Sequence, residues 1–281
     1  MTSSHTFSLI ELLTIVFLLT IVITFIFSAI PQSNKNIKIS GVSIGIVFSW
    51  FGTFILGTPD LVPRFNSNEI ITLSISFLFL GLFLDLNPKF NKLFIWIVLI
   101  FAGMITIIWM LNEVKFYSIF FLIGWITLQI ELQRESIQNN KTISTAELIL
   151  VFSAIGLGLI AWTNNLLVDR DLAFGLSSIC SAFYVCSKIR PNILTGFSII
   201  LIGGGALFMI IIRLIEQYPS LTPSIIVLGF VLFVDRNIIY LSKNYRICNT
   251  MPYLINFTIL ATIPIALSVL TATIASKLTI G

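Results

Sequence analysis

The chain has 281 residues, 57% of them apolar and only 10% charged, with a formal net charge of +4 and a mean hydropathy of +1.04. Soluble domains are about 45–50% apolar and about 25% charged, so a cytosolic enzyme, a nucleic-acid binder, a disulfide scaffold and a disordered chain are excluded. What remains is an all-α, polytopic integral membrane protein with one membrane domain over residues 1–281.

A membrane span takes about 20 apolar residues, and ten apolar blocks follow one another along this chain. The first, 7–30, has no basic residue ahead of it and outlasts the apolar core of a signal peptide, so it is expected to be a retained span. Glu11 sits near its start, close enough to the interface to snorkel or pair. Block two covers 39–57, and block three, 69–84, closes on Asp85 with Pro88, Lys89 and Lys92 just beyond. Blocks four to seven cover 93–111, 116–130, 145–163 and 172–186. Blocks three, five and seven are short, so their edges are expected to shift. Block eight, 193–212, carries Gly203-Gly204-Gly205, small enough for a neighbouring helix to come close. Block nine, 222–241, encloses the step Asp235-Arg236, and block ten covers 253–276. All ten are expected to be helices, because lipid offers the backbone no partner and the runs lack the alternation of a barrel strand.

Cytoplasmic connections retain basic residues. The odd-numbered connections hold Lys35, Lys38, Lys89, Lys92, Arg134, Lys141, Lys188, Arg190, Arg236, Lys243 and Arg246, whereas the even-numbered ones hold only Arg64, Lys115, Arg170 and Arg213. The odd connections are therefore expected in the cytoplasm, with both termini outside. Glu216, Asp169 and Asp171 then fall in external connections and read as solvated. Asp235 is harder to accommodate: an ionisable residue in an apolar run needs either a partner on another helix or a polar site.

Several chemistries are absent. Cys180, Cys186 and Cys248 have no metal-ligand spacing and read as small buried hydrophobes. His5 is the only histidine and lies in the N-terminal tail, so histidine-based catalysis has no candidate. No GxxxxGK[ST], GxGxxG or HExxH pattern occurs.

The segment Leu80-Gly81-Leu82-Phe83-Leu84-Asp85-Leu86, followed by Asn87-Pro88-Lys89, looks like the LGLxDDL and SP[RK] motifs of the polyprenyl-phosphate sugar-1-phosphate transferases. These include the phospho-MurNAc-pentapeptide translocase and the bacterial GlcNAc-1-phosphate transferases. Lys38-Ile39-Ser40-Gly41-Val42-Ser43-Ile44 is similar to the family's R-x-GG-x-AI, and Pro191-Asn192-Ile193-Leu194-Thr195-Gly196 resembles PA[RK]IFMG. Phe233-Val234-Asp235 through Lys243 looks like PLxD…RR. The motifs occur in family order, and the family's ten spans with both termini outside agree with the charge count above.

The resemblance implies a membrane glycosyl-1-phosphate transferase of the inner (plasma) membrane, its site facing the cytoplasm and serving cell-envelope glycan or peptidoglycan lipid intermediates. An active member would use Mg²⁺ on Asp85 and Asp235 as catalytic and metal-binding carboxylates. Lys38, Lys89, Lys243 and Arg246 would face the phosphates. Its partners would be the lipid bilayer, polyprenyl phosphate, a UDP-sugar and a second copy of the chain, with no nucleic acid. The departures are extensive. Leu84 takes the first position of the acidic pair, Phe197 replaces the aspartate after IFMG, and Glu131-Leu132-Gln133-Arg134-Glu135 replaces the NxxDG loop. The histidine loop after span nine is missing. Glu131 or Glu135 is a candidate for a displaced role; setting Asp171 against the lost aspartate would put the site outside the membrane and is rejected. The expectation is thus a divergent, catalytically impaired relative. The other readings are a ten-helix secondary transporter, for which no half-to-half repeat is visible, and a non-catalytic subunit of a membrane complex.

Overall fold

The computed structural model of the chain describes residues 8–29, 39–57, 69–87, 89–111, 118–133, 135–138, 141–190, 193, 196–244 and 252–280. For residues 39, 135–138, 141–144, 242–244 and 278–280 the description is of the backbone alone. The helices are α1 (Leu9–Ala29), α2 (Val42–Leu56), α3 (Glu69–Leu86), α4 (Lys92–Met110), α5 (Ser118–Leu132), α6 (Ala146–Thr163), α7 (Leu167–Ile189), α8 (Phe197–Gln217), α9 (Thr222–Leu228), α10 (Val234–Asn244) and α11 (Tyr253–Ile280). A 3₁₀ stretch, Gly229–Phe233, joins α9 to α10, so that Pro219–Leu241 runs as one 23-residue apolar span.

Eight of the described helical segments are long and apolar enough to cross a bilayer. The helices of blocks two and five, α2 and α5, are apolar but only 15 residues each, about 22 Å at 1.5 Å per residue. Block seven moves most: α7 begins at Leu167, taking Asp169, Arg170 and Asp171 into its first turns. Between α5 and α6 the chain forms a hairpin of β1 (Glu135–Gln138) and β2 (Lys141–Ser144), antiparallel with Glu135 opposite Ser144. That hairpin was not expected from the sequence.

α8 is the axis of the bundle, packing on α2, α3, α4, α5, α6 and α7. Of its apolar window 83% is buried, against 22% for α1 at the periphery. The glycine triplet explains how one helix serves so many neighbours. Successive residues on a helix point about 100° apart, so Gly203, Gly204 and Gly205 meet three different partners. A Cβ on each would lie 2.6 Å from Leu150 of α6, 2.8 Å from Leu132 of α5 and 2.3 Å from Phe77 of α3, respectively. The expected close approach is therefore present on three sides at once. On the far side of α6, α11 packs against α9 and α6.

The start of α1 accounts for Glu11. The Ser8 amide donates to Glu11 Oε2 at 2.8 Å, and the Glu11 amide donates to Ser8 Oγ at 3.3 Å. This is the reciprocal capping box of an S-x-x-E sequence, a local pairing in place of snorkelling.

Candidate functional site

Asp85 lies in the last turn of α3 and is only 4% exposed. Gly81, one turn earlier, lets α3 come against α8: a Cβ there would lie 2.7 Å from Ser198 Cα. Asp85 thereby reaches the first residues of α8. The Phe197 amide donates to Oδ1 at 2.6 Å and the Ser198 amide to Oδ2 at 3.0 Å, while the Ser198 hydroxyl also donates to Oδ2. The first amides of a helix have no partner within it, and the helix end carries partial positive charge. A carboxylate placed there satisfies donors and complements that charge. Gly196 completes the fit, since a Cβ at this position would lie 2.6 Å from both carboxylate oxygens.

Asp235 and Arg236 open α10 and diverge to different helices. Asp235, 1% exposed, accepts a hydrogen bond from the Tyr253 hydroxyl of α11 at 2.6 Å. Arg236 forms an ion pair with Glu131 in the last turn of α5, and its guanidinium lies 5.4 Å from the centre of the Phe233 ring. Glu131 is 2% exposed, while the arginine side chain is half exposed. The adjacent charges are thus a pair of clamps, one onto α11 and one onto α5. Of the alternatives left open by the sequence, a partner on another helix accounts for Asp235. Glu131 is engaged by Arg236 of α10. Glu135 lies in β1, in the part described by its backbone alone.

These observations bear on Mg²⁺. A carboxylate that holds Mg²⁺ presents oxygens to the cation, with other oxygens completing the octahedron. Asp85 instead faces donors: two backbone amides and a hydroxyl at the positive end of a helix. These described contacts are donors, not the additional oxygens that complete a divalent cation's shell. Among the described residues, no group of three or more His, Cys, Asp or Glu side chains is placed to hold a metal ion. The described hydrogen bonds of Asp85 run to α8 and that of Asp235 runs to α11.

Of the basic residues named from the sequence, Lys89 lies exposed in the turn after α3. Lys38 and Arg246 lie outside the described residues, and Lys243 falls in the last turn of α10, where only the backbone is described. Ser198 and Tyr253 are not singled out in the sequence, and Gly196 enters only as the end of the Pro191–Gly196 motif. The signal for Ser198 is its place after Phe197, where the family has an aspartate and this chain follows with a hydroxyl.

One expectation is overturned. Asp169 was read as solvated, yet it is 3% exposed and pairs with Arg213 of α8 at 2.8 Å. The partner is remote in sequence: the first turns of α7 meet the last turns of α8, and Asp169 is buried there against Arg213. Asp171, by contrast, remains partly exposed beside Arg170 at 2.7 Å, and Glu216 is exposed. Asp171 also stands about 27 Å along α7 from the end that leads to Asp85 and α8. No protein-family model, curated protein or solved structure matches the chain.

Proposed function

We propose that the chain is a divergent, catalytically impaired relative of the membrane transferases that move a sugar-1-phosphate from a UDP-sugar to a polyprenyl phosphate. One observation carries the reading. Two segments matched separately to family motifs, Leu80–Leu86 and Pro191–Gly196, lie more than a hundred residues apart, yet Asp85 of the first accepts from the amide that immediately follows the second. A family scaffold would bring those motifs together, and an unrelated helical bundle has no reason to.

The same contact supports the loss of activity. Phosphoryl transfer is catalysed chiefly by positioning and charge stabilisation, with carboxylate-held Mg²⁺ supplying much of the charge. Here the neighbour of Asp85 in the acidic pair is the buried Leu84, and the position after Gly196 is Phe197. The remaining carboxylate is engaged by the start of α8. The retained role is binding of the lipid carrier at the cytoplasmic face of the plasma membrane without turnover.

The test is UMP release by the purified protein in vesicles containing undecaprenyl phosphate, with Mg²⁺ and a panel of UDP-sugars. The expected result is release no greater than from protein-free vesicles, with undecaprenyl phosphate still bound. Mg²⁺-dependent release that disappears in Asp85→Asn and Asp235→Asn would establish an active enzyme and overturn the impaired reading. Absence of both release and lipid binding would overturn the family reading itself.

A further inference from the structure

A cavity of about 1050 Å³ opens between α5, α6, α8 and α9, and its mouth holds Glu216. That residue is 19 positions beyond Phe197 on α8, about 28 Å along the helix from the Asp85 contact. The cavity therefore opens at the opposite end of α8 from the Asp85 contact, and it runs inward as far as Leu128 and Leu232. Its walls are apolar and partly aromatic, with Phe120, Phe121 and Phe208 among them.

Two features indicate a space kept open for a ligand. The first is Ser153 of α6, which lines the cavity, is 4% exposed, and has a hydroxyl with no hydrogen-bond partner among the described residues. A buried polar group left unsatisfied costs about 1–3 kcal/mol, and a ligand group supplies what the chain does not. The second is a pair of glycines in the wall. Every other glycine inside the described α-helices would drive a Cβ to 3.2 Å or less from a neighbour, so its smallness serves packing. Gly124, on the exposed face of α5, and Gly229, part-buried after α9, both line the cavity, and a Cβ on either meets nothing within 4 Å. Glycine in a helix costs about 1 kcal/mol relative to alanine; at the part-buried Gly229 packing gives no return for that cost, and open volume does.

We infer that this cavity binds a hydrophobic cation of drug-like size that carries a hydrogen-bonding group. The volume matches sites for such molecules, and the aromatic walls suit an apolar cation on both hydrophobic and cation–π grounds. Glu216 at the mouth selects against anions by charge. The carrier lipid of the proposed function has an anionic phosphate head, so this ligand is of a different class, and the inference does not rest on that function.

The experiment uses purified full-length protein in detergent and rhodamine 6G, a cationic xanthene with N–H groups and an ester, followed by fluorescence anisotropy. Fluorescein, an anion on the same ring skeleton, is the comparison. Saturable binding of rhodamine 6G at one per chain is expected, with none for fluorescein. Gly124→Leu and Gly229→Leu, which place side chains into open space, should each weaken binding about tenfold or more. Glu216→Gln, on an exposed rim where folding is not at stake, should weaken it about three- to fivefold, and Ser153→Ala by a similar factor. Absence of saturable binding, equal binding of fluorescein, or wild-type affinity in both glycine variants would overturn the site. Unchanged affinity in Glu216→Gln would overturn its assignment to cations.

Discussion

Asp85 illustrates how a residue type can be legible while its role is not. A carboxylate next to two lysines at a helix end reads equally as a solvated terminus, a metal ligand or a cap. What decides is the arrival of α8, 112 residues later, with its first amides aimed at both oxygens. Hydrogen bonds to an ionised acceptor contribute about 1.5–3 kcal/mol each at most, so Asp85→Asn should destabilise the protein by about 2 kcal/mol in thermal or denaturant unfolding. Gly196→Ala should do the same without removing charge, because its methyl group would occupy the place of the carboxylate. The two effects should be strongly non-additive in a double-mutant cycle, as expected for groups in one contact; independent additive losses would show that the contact is absent. The Arg236–Glu131 pair yields an asymmetric prediction. Glu131 is buried and Arg236 half exposed, so Arg236→Ala, which takes a cation from beside the buried carboxylate, should be worse than the double variant Arg236→Ala, Glu131→Gln. Solvent screening of the arginine limits the gap to about 1 kcal/mol. Equal stability of the two would contradict a contribution of this arginine to holding the buried charge. The capping box at Ser8 and Glu11 was legible from spacing alone, because both partners lie within one turn. The partners of Asp169, Asp235 and Glu131 come from remote helices and leave no local mark.

Helix positions follow the apolar blocks to within a few residues at most edges, because desolvation of the backbone forces a helix wherever the run is apolar. The exceptions have physical causes. α7 extends past its apolar block because Asp169 gains Arg213 on the neighbouring helix, and a paired charge can enter a helix that an unpaired one would end. The β1–β2 hairpin consists of four polar-rich residues on each side, with no apolar period to announce it. Close packing between elements was legible only as glycine content. Which glycine meets which neighbour depends on the assembled bundle. Gly103 of α4 is one such case: Trp125 of α5 lies over it, donating from Nε1 to the Leu99 carbonyl at 2.8 Å. A Cβ at Gly103 would sit 2.3 Å from the indole ring. Gly103→Ala should therefore separate α4 from α5, costing about 1–3 kcal/mol and changing Trp125 fluorescence; retention of both stability and spectrum would refute the contact.

At the scale of the molecule, the all-helical membrane class follows from composition, and α8 emerges as the axis only from the structure. Its glycine triplet opens three faces, its first turn receives Asp85, and its last turns hold Arg213 against Asp169. The distribution of lysine and arginine predicts both termini outside the cytoplasm. A periplasm-active phosphatase fused after Gly281 should be active, and a cytoplasm-active reporter at the same place should be dark; the reverse would remove the layout on which the transferase resemblance depends. That resemblance is carried by short motifs in the right order, which the eye can follow in the chain, whereas the meeting of two of them at Asp85 and Phe197 required the fold.

The account turns on Asp85 holding α8 rather than a metal, and thermal unfolding with and without millimolar Mg²⁺ tests this most directly, on the wild type and on Asp85→Asn. The account predicts that Mg²⁺ leaves the wild-type Tm unchanged, and that Asp85→Asn lowers it by about 4–8 °C whether or not Mg²⁺ is present. A ligand that binds the folded state alone raises stability in proportion to its occupancy. A wild-type Tm raised by Mg²⁺, with the rise abolished in Asp85→Asn, would therefore contradict the account and return Asp85 to metal binding.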